Sequence, residues 1–217
     1  MSWNDQIDIY CERLNPSFWA EPLNAISNGV FLIAAFFAYK AYISNKSRDK
    51  GVVAAIIITA LVGIGSFLFH TIATRWAMWA DIIPIIIFIH YSFWLILTRF
   101  FAFKASKALL GVVLFFGFSI LVKTYVPITA FNGSAQYFPA LFLLIGTAAF
   151  LKAGNNVQYR KFAVAAVVFI GALTARSVDM QVCPNLEIGT HFLWHTLNPV
   201  VMYLVIKAII LNQKKSI

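Results

Sequence analysis

Apolar positions gather into seven long runs, at 23–43, 52–72, 77–98, 107–124, 135–152, 159–176 and 189–211, and polar positions are largely confined to the breaks between them. A helix needs ~18 to 20 apolar residues to cross hydrocarbon at 1.5 Å per residue, and each run approaches or exceeds that length. The breaks have loop chemistry. Asn45 to Gly51 is polar and charged, Asn132-Gly133-Ser134 and Gly154-Asn155-Asn156 are turns, and Cys183-Pro184-Asn185 separates the last two runs. The pattern predicts an all-α, polytopic membrane protein with an N-terminal segment (1–22), a bundle of seven transmembrane helices (23–211) and a short tail (212–217). No internal repeat is visible, which argues against a transporter built from inverted repeats.

Composition supports lipid as the solvent. The chain is 61% hydrophobic and 12% charged, with a mean hydropathy of +0.80, against about 45–50% apolar and about 25% charged in soluble domains. The net charge of +9 does not point to nucleic acid, because the basic residues lie in short runs between apolar segments. Those runs orient the chain. Arg13, Arg75, Lys123 and Arg176 fall on one side. Lys40 to Lys50, Arg99 to Lys107, Lys152 to Lys161, and Lys207 with Lys214 and Lys215 fall on the other. The N-terminus is therefore expected outside and the C-terminus in the cytoplasm, an answer that requires an odd number of spans. Asp5, Asp8, Glu12 and Glu21 replace the basic start and apolar stretch of a signal peptide, so the N-terminus is expected to persist. Short loops and the lack of targeting motifs point to a bacterial cytoplasmic membrane.

Ionisable side chains inside spans are costly and default to a functional or paired role. The second run ends Gly65-Ser66-Phe67-Leu68-Phe69-His70, which puts Ser66 and His70 on one helix face. The third reaches Asp81 early, and the seventh opens with His191-Phe192-Leu193-Trp194-His195. With the alternating directions of these spans, all five residues fall toward the outer side. Three imidazoles at one depth, two of them an i, i+4 pair, make a three-ligand zinc site with an open fourth position. His90 lies nine positions after Asp81, about half a rotation round the helix, and is read as structural.

These residues resemble the alkaline ceramidases, within a wider group of seven-span hydrolases that includes the adiponectin-receptor relatives. The resemblance rests on Tyr10-Cys11-Glu12, Glu21 to Asn28, Gly63 to His70 with Asp81, and Gly189 to His195. It implies a zinc amidohydrolase that cleaves the N-acyl bond of ceramide-like lipids to a fatty acid and a sphingoid base. It assigns His70, His191 and His195 to zinc and Asp81 and Ser66 to catalysis. Asp81 would move the proton, while Ser66 would bond either the developing oxyanion or the attacking water. The resemblance also implies a calcium site with Asp8, Glu12, Asn15 and Glu21 as oxygen donors. Here the chain departs from the pattern: Ile9 stands where an acidic residue is expected, Asp8 is displaced by one, and Asn15 sits in a shorter loop.

Several polar residues keep two readings. Asn24, Ser27 and Asn28 either line the site or lock helices together. Arg176 and Asp179 either pair with each other, the favoured reading, or buttress the zinc ligands. Cys11 and Cys183, the only cysteines, share the outer side, so a disulfide between them is expected. The expected partner is a membrane lipid substrate and not nucleic acid. The rival class is a seven-span receptor or scaffold with a structural metal. A structural zinc closes its shell with four ligands and needs no base, so Ser66 and Asp81 favour turnover. A transporter or channel would carry ionisable groups through the membrane depth, and these spans nearly lack acids in their middle and inner thirds.

Overall fold

The computed structural model describes residues 2–127 and 129–212. The helices are α1 (Pro22–Ser27), α2 (Gly29–Ser44), α3 (Lys50–Ile72), α4 (Arg75–Arg99), α5 (Ala105–Tyr125), α6 (Phe138–Ala153), α7 (Tyr159–Val182) and α8 (His191–Asn212). Among the described residues 77% are helical and none forms a strand, and seven segments are long and apolar enough to cross a membrane. α1 and α2 make one span, Pro22–Ser44. Lys214 and Lys215, and the expected tail beyond Asn212, lie outside the described residues.

Helices suit this chain because hydrocarbon offers the backbone no partner, so every N–H and C=O must bond within its own segment. Alanines such as Ala38, Ala55, Ala165 and Ala172 are fully or almost fully buried and let the helices approach closely. α8 occupies the centre, packed against α1, α2, α3, α4 and α7. α5 is the opposite case: only Ala108 is buried, and Leu109, Leu110 and Leu114 face outward, as a lipid-contacting helix requires.

Three span ends differ from the hydropathy reading. The fifth run does not start as a helix at 135. Ala130–Tyr137 forms a short 3-10 stretch broken by left-handed Phe131, Asn132 and Gly133, and the α-helix begins at Phe138. α7 continues past Arg176 to Val182, because its polar residues there find partners in other segments. α8 starts at His191, since Gly189 has φ +60 and cannot be helical. The N-terminal segment crosses the α3–α4 turn, where Ile7 donates to Ala73 O (2.8 Å) and Arg75 to Asp5 O (3.2 Å). Cys11 and Cys183 are joined by a disulfide, with Cα atoms 5.5 Å apart.

Candidate metal centre

α3 carries Ser66 and His70 in its last two turns and is stopped by Ala73, which turns into the left-handed region (φ 49). α4 then starts at Arg75 and returns antiparallel, bringing Asp81 back beside α3. Gly65 makes that approach possible, since a Cβ there would collide with the Ala80 backbone. The neighbouring Ser66 thereby comes to lie beside Asp81.

His191 opens α8, where the first backbone amides lack helical acceptors. Asp179 of α7 supplies one: its Oδ1 accepts from Thr190 N (2.7 Å) and His191 N (2.9 Å), while Oδ2 accepts from Cys11 N (3.0 Å). Only glycine fits at 189, where a side chain would strike Asp179 and Cys11. One buried carboxylate thus locks α7, α8 and the N-terminal segment together.

His70, His191 and His195 are 0%, 1% and 2% exposed, and their potential ligand atoms lie within 4.8 Å of one another. Hydrogen bonds assign two of the tautomers. His70 Nδ1 donates to Glu21 Oε2 at 2.5 Å, and its Nε2 is buried without a hydrogen-bond partner. Ser27 gives its single hydroxyl proton to Asn24 O (2.8 Å), so at 3.1 Å it must accept from His195 Nδ1. That leaves His195 Nε2 as the ring's lone pair. His191 Nδ1 is buried and unpartnered, and its ring stacks on Tyr10 at 3.7 Å. Nitrogen lone pairs left over after the outer bonds are made are what a metal-binding trio of imidazoles needs, and three nitrogens leave an open position.

The acids near the cluster have separate tasks. Glu12 caps α1, accepting from Leu23 N (2.7 Å) and Asn24 N (2.8 Å). Burial raises the Glu12 carboxyl above its usual range, partly offset by those amides. Glu21 bonds His70, Asn24 Nδ2 (3.1 Å) and Arg13 Nε (2.5 Å). Burial alone would raise Glu21, but the His70 and Arg13 contacts outweigh it and hold the carboxylate below its ordinary value. Asp81 differs: among buried carboxylates of the described residues, it alone has an oxygen, Oδ1, without a partner.

The four expected calcium donors do not close into one ligand cluster. Asp8 is exposed, and Asp8, Glu12 and Glu21 do not gather as a cluster of ligand atoms. Glu12 is committed to helix amides, Asn15 Oδ1 accepts from Ser17 N (2.9 Å), and Glu21 faces a guanidinium. The residues present do not fit calcium. The Arg176–Asp179 pair is also not formed. Arg176 donates to Asn132 O (2.5 Å) and lies over the rings of Tyr10, Tyr137 and Trp194, while Asp179 takes the amides described above. Asp179 instead supports the end of α8 that carries His191. Ser27 and Asn24 support His195 and Glu21, whereas the Asn28 amide bonds back to Asn24 O (2.9 Å). His90 bonds Ile86 O (2.8 Å) in its own helix, away from the cluster.

Arg13, Tyr10 and the tasks of Glu12 and Glu21 were not foreseen as parts of this site. The available signal was scarcity: in so apolar a chain, charged residues bracketing a cysteine at the start of the bundle are candidates for burial. A partly open, apolar pocket begins one turn deeper than the cluster. Val62 lies four residues before Ser66, Ile85 four after Asp81 and Asn198 three after His195, and all three line it together with Phe88, Trp194 and Met202.

No curated protein matches the chain. A family model described as Ceramidase matches residues 9–215, nearly the whole length. That family implies hydrolysis of ceramide, a membrane lipid, and the three buried histidines are placed to bind a metal ion. The chain, a seven-span helical bundle closed by a disulfide over a buried trio of histidines, belongs to the ceramidase family.

Proposed function

We propose that the protein is an intramembrane zinc-dependent amidohydrolase, adding water across the N-acyl bond of ceramide-like lipids to release a fatty acid and a sphingoid base. The observation that carries this reading is the buried trio of imidazoles one turn from an apolar pocket, with a buried Asp81 whose Oδ1 has no partner on the adjoining helix. His70, His191 and His195 would hold the zinc, which when bound acidifies a water and polarises the amide carbonyl. Glu21 and Ser27 orient two of the rings through their Nδ1 protons. Asp81 Oδ1 accepts the proton of the attacking water and returns it to the leaving amine. Ser66, beside Asp81, would hold its carboxylate in place. The apolar cavity takes a hydrocarbon chain, so the reacting amide stays at the polar end.

In this reading residues 2–22 form a cover over the outer face of a hydrolase domain, and the histidines face the outer side of the membrane. The charge asymmetry and the disulfide, which persists in oxidising compartments, both support that orientation. The test is metal analysis of purified protein together with lipid mass spectrometry after incubation with a panel of N-acyl lipids. The expected result is about one zinc per chain, and fatty acid release that a chelator stops and zinc restores. Zinc-loaded protein that releases no fatty acid from any N-acyl lipid would overturn the reading in favour of a receptor or scaffold.

A further inference from the structure

Arg13 is 5% exposed and lies in the N-terminal segment between Ile9 and Asn15, where the chain departs from a calcium-binding pattern. Its guanidinium is surrounded by oxygens: Nε donates to Glu21 Oε1 (2.5 Å), one terminal nitrogen to Asn15 O (3.1 Å) and Ser17 O (3.4 Å), and the other to His70 O (3.0 Å). A carboxylate and three carbonyls converging on one positive centre form the kind of oxygen cage that a hard cation takes. Here the cation is covalently part of the chain. Calcium would also need more oxygens and more negative charge than this cage has, since Glu12 is bound to helix amides and residue 9 is Ile9. A second positive charge beside the guanidinium would be repelled.

The cage connects directly to the histidines. Glu21 gives one oxygen to Arg13 and the other to His70 Nδ1, and Arg13 also holds the His70 carbonyl. Arg13 therefore fixes both the backbone and, through Glu21, the ring of a proposed metal ligand. We propose that Arg13 is the resident cation of the N-terminal segment: it fills the oxygen cage in place of calcium, frees the protein from any calcium requirement, and positions His70 for its metal. The calcium clause stands on the cage alone, and the positioning clause rests on the zinc reading above.

The experiment uses the full-length protein in detergent. In the first arm, calcium chloride is titrated into wild-type protein by calorimetry, and melting is compared in 1 mM calcium and in a calcium chelator. No binding and identical melting curves are expected. One calcium bound per chain, lost in Glu21→Gln, would overturn the proposal. In the second arm, zinc loading is measured by competition with a chromophoric chelator. Arg13→Ala should need about tenfold more free zinc for half-loading, within the range seen when outer-shell support of a ligand is removed. Arg13→Lys should recover part of the loss, and added guanidinium, but not urea, should restore Arg13→Ala. Wild-type loading in Arg13→Ala would overturn the positioning clause, whereas wild-type protein that takes no zinc would overturn the proposed function and leave the calcium arm to decide this one. Should Arg13→Ala fail to fold, Arg13→Lys and the wild-type calcium arm remain decisive.

Discussion

The two ends of the bundle use polar groups differently. At the lysine-rich end, Asp49 caps α3 through Gly51 N (2.8 Å) and pairs with Arg99 (2.6 Å), while Asn156 and Asn212 bridge helix ends at 2.9 Å. These contacts are partly exposed, and each ties two neighbouring elements. At the histidine end Glu12, Arg13, Glu21, Asp179 and the three histidines are all buried, and they join the N-terminal segment to α1, α3, α7 and α8. A half-solvated pair has modest energetic value because water competes for both partners. A buried network has no such fallback, so losing one member leaves others unsatisfied. The first end resists change one contact at a time, and the second is expected to respond as a unit.

The sharpest way to break that contrast is at the ligands. His195→Ala should abolish fatty acid release and lower metal content, with melting of the lysine-rich end unchanged by site-specific hydrogen exchange. Full zinc occupancy in a variant lacking all three histidines would remove the site from its assigned place.

Cutting the covalent tie comes next. Chain-entropy reasoning gives an upper value of roughly 4–5 kcal/mol for so long a loop, less in a membrane, where the unfolded chain is already restricted. Cys11→Ser with Cys183→Ser should raise hydrogen exchange across residues 2–20 first and leave α2 and α6 protected. Uniform loosening of all helices would contradict the separation of the two ends.

Asp81→Asn keeps shape and removes a proton acceptor, so at least ~100-fold loss of turnover is expected with zinc content unchanged. Near-normal hydrolysis in that variant would mean that Asp81 only orients a neighbour.

The smallest effect is expected at the opposite end. The Arg99 bond holds the Asp49 carboxyl below its usual value, so its stabilisation is complete above the ordinary carboxylate pKa and fades as pH falls through the lower, folded-state value. Asp49→Asn should cost about 0.5–1 kcal/mol near neutrality and flatten the loss of melting temperature on the acid side of about pH 4. Zinc content should not move. A change in zinc affinity from this substitution would show that the ends are coupled.

Much of this was legible in the sequence because lipid imposes one rule on every span. The second and third spans were read to within two residues at each end, since nothing apolar competes with a helix in hydrocarbon. The misreadings fall where a polar group is satisfied by a distant segment. α7 runs past Arg176 because Asn132 and the aromatic rings receive that guanidinium, and Asp179 stays helical because Thr190, His191 and Cys11 bring it their amides. The histidine trio could be read from helical period and alternating direction. The capping task of Glu12 and the cage of Arg13 could not, because they depend on how a non-helical segment lies over the bundle, which no periodicity encodes.

The Cys11–Cys183 bond also has a consequence for biogenesis. It turns residues 11–183 into a covalent ring that contains the first six spans, and α8 lies outside it. α8 leaves the ribosome after those six spans and supplies His191 and His195. The ring can therefore close on a nascent chain that still lacks two of the three imidazoles. A bundle paused at that stage would be oxidised and held together with one histidine of the trio, and arrival of α8 would complete it.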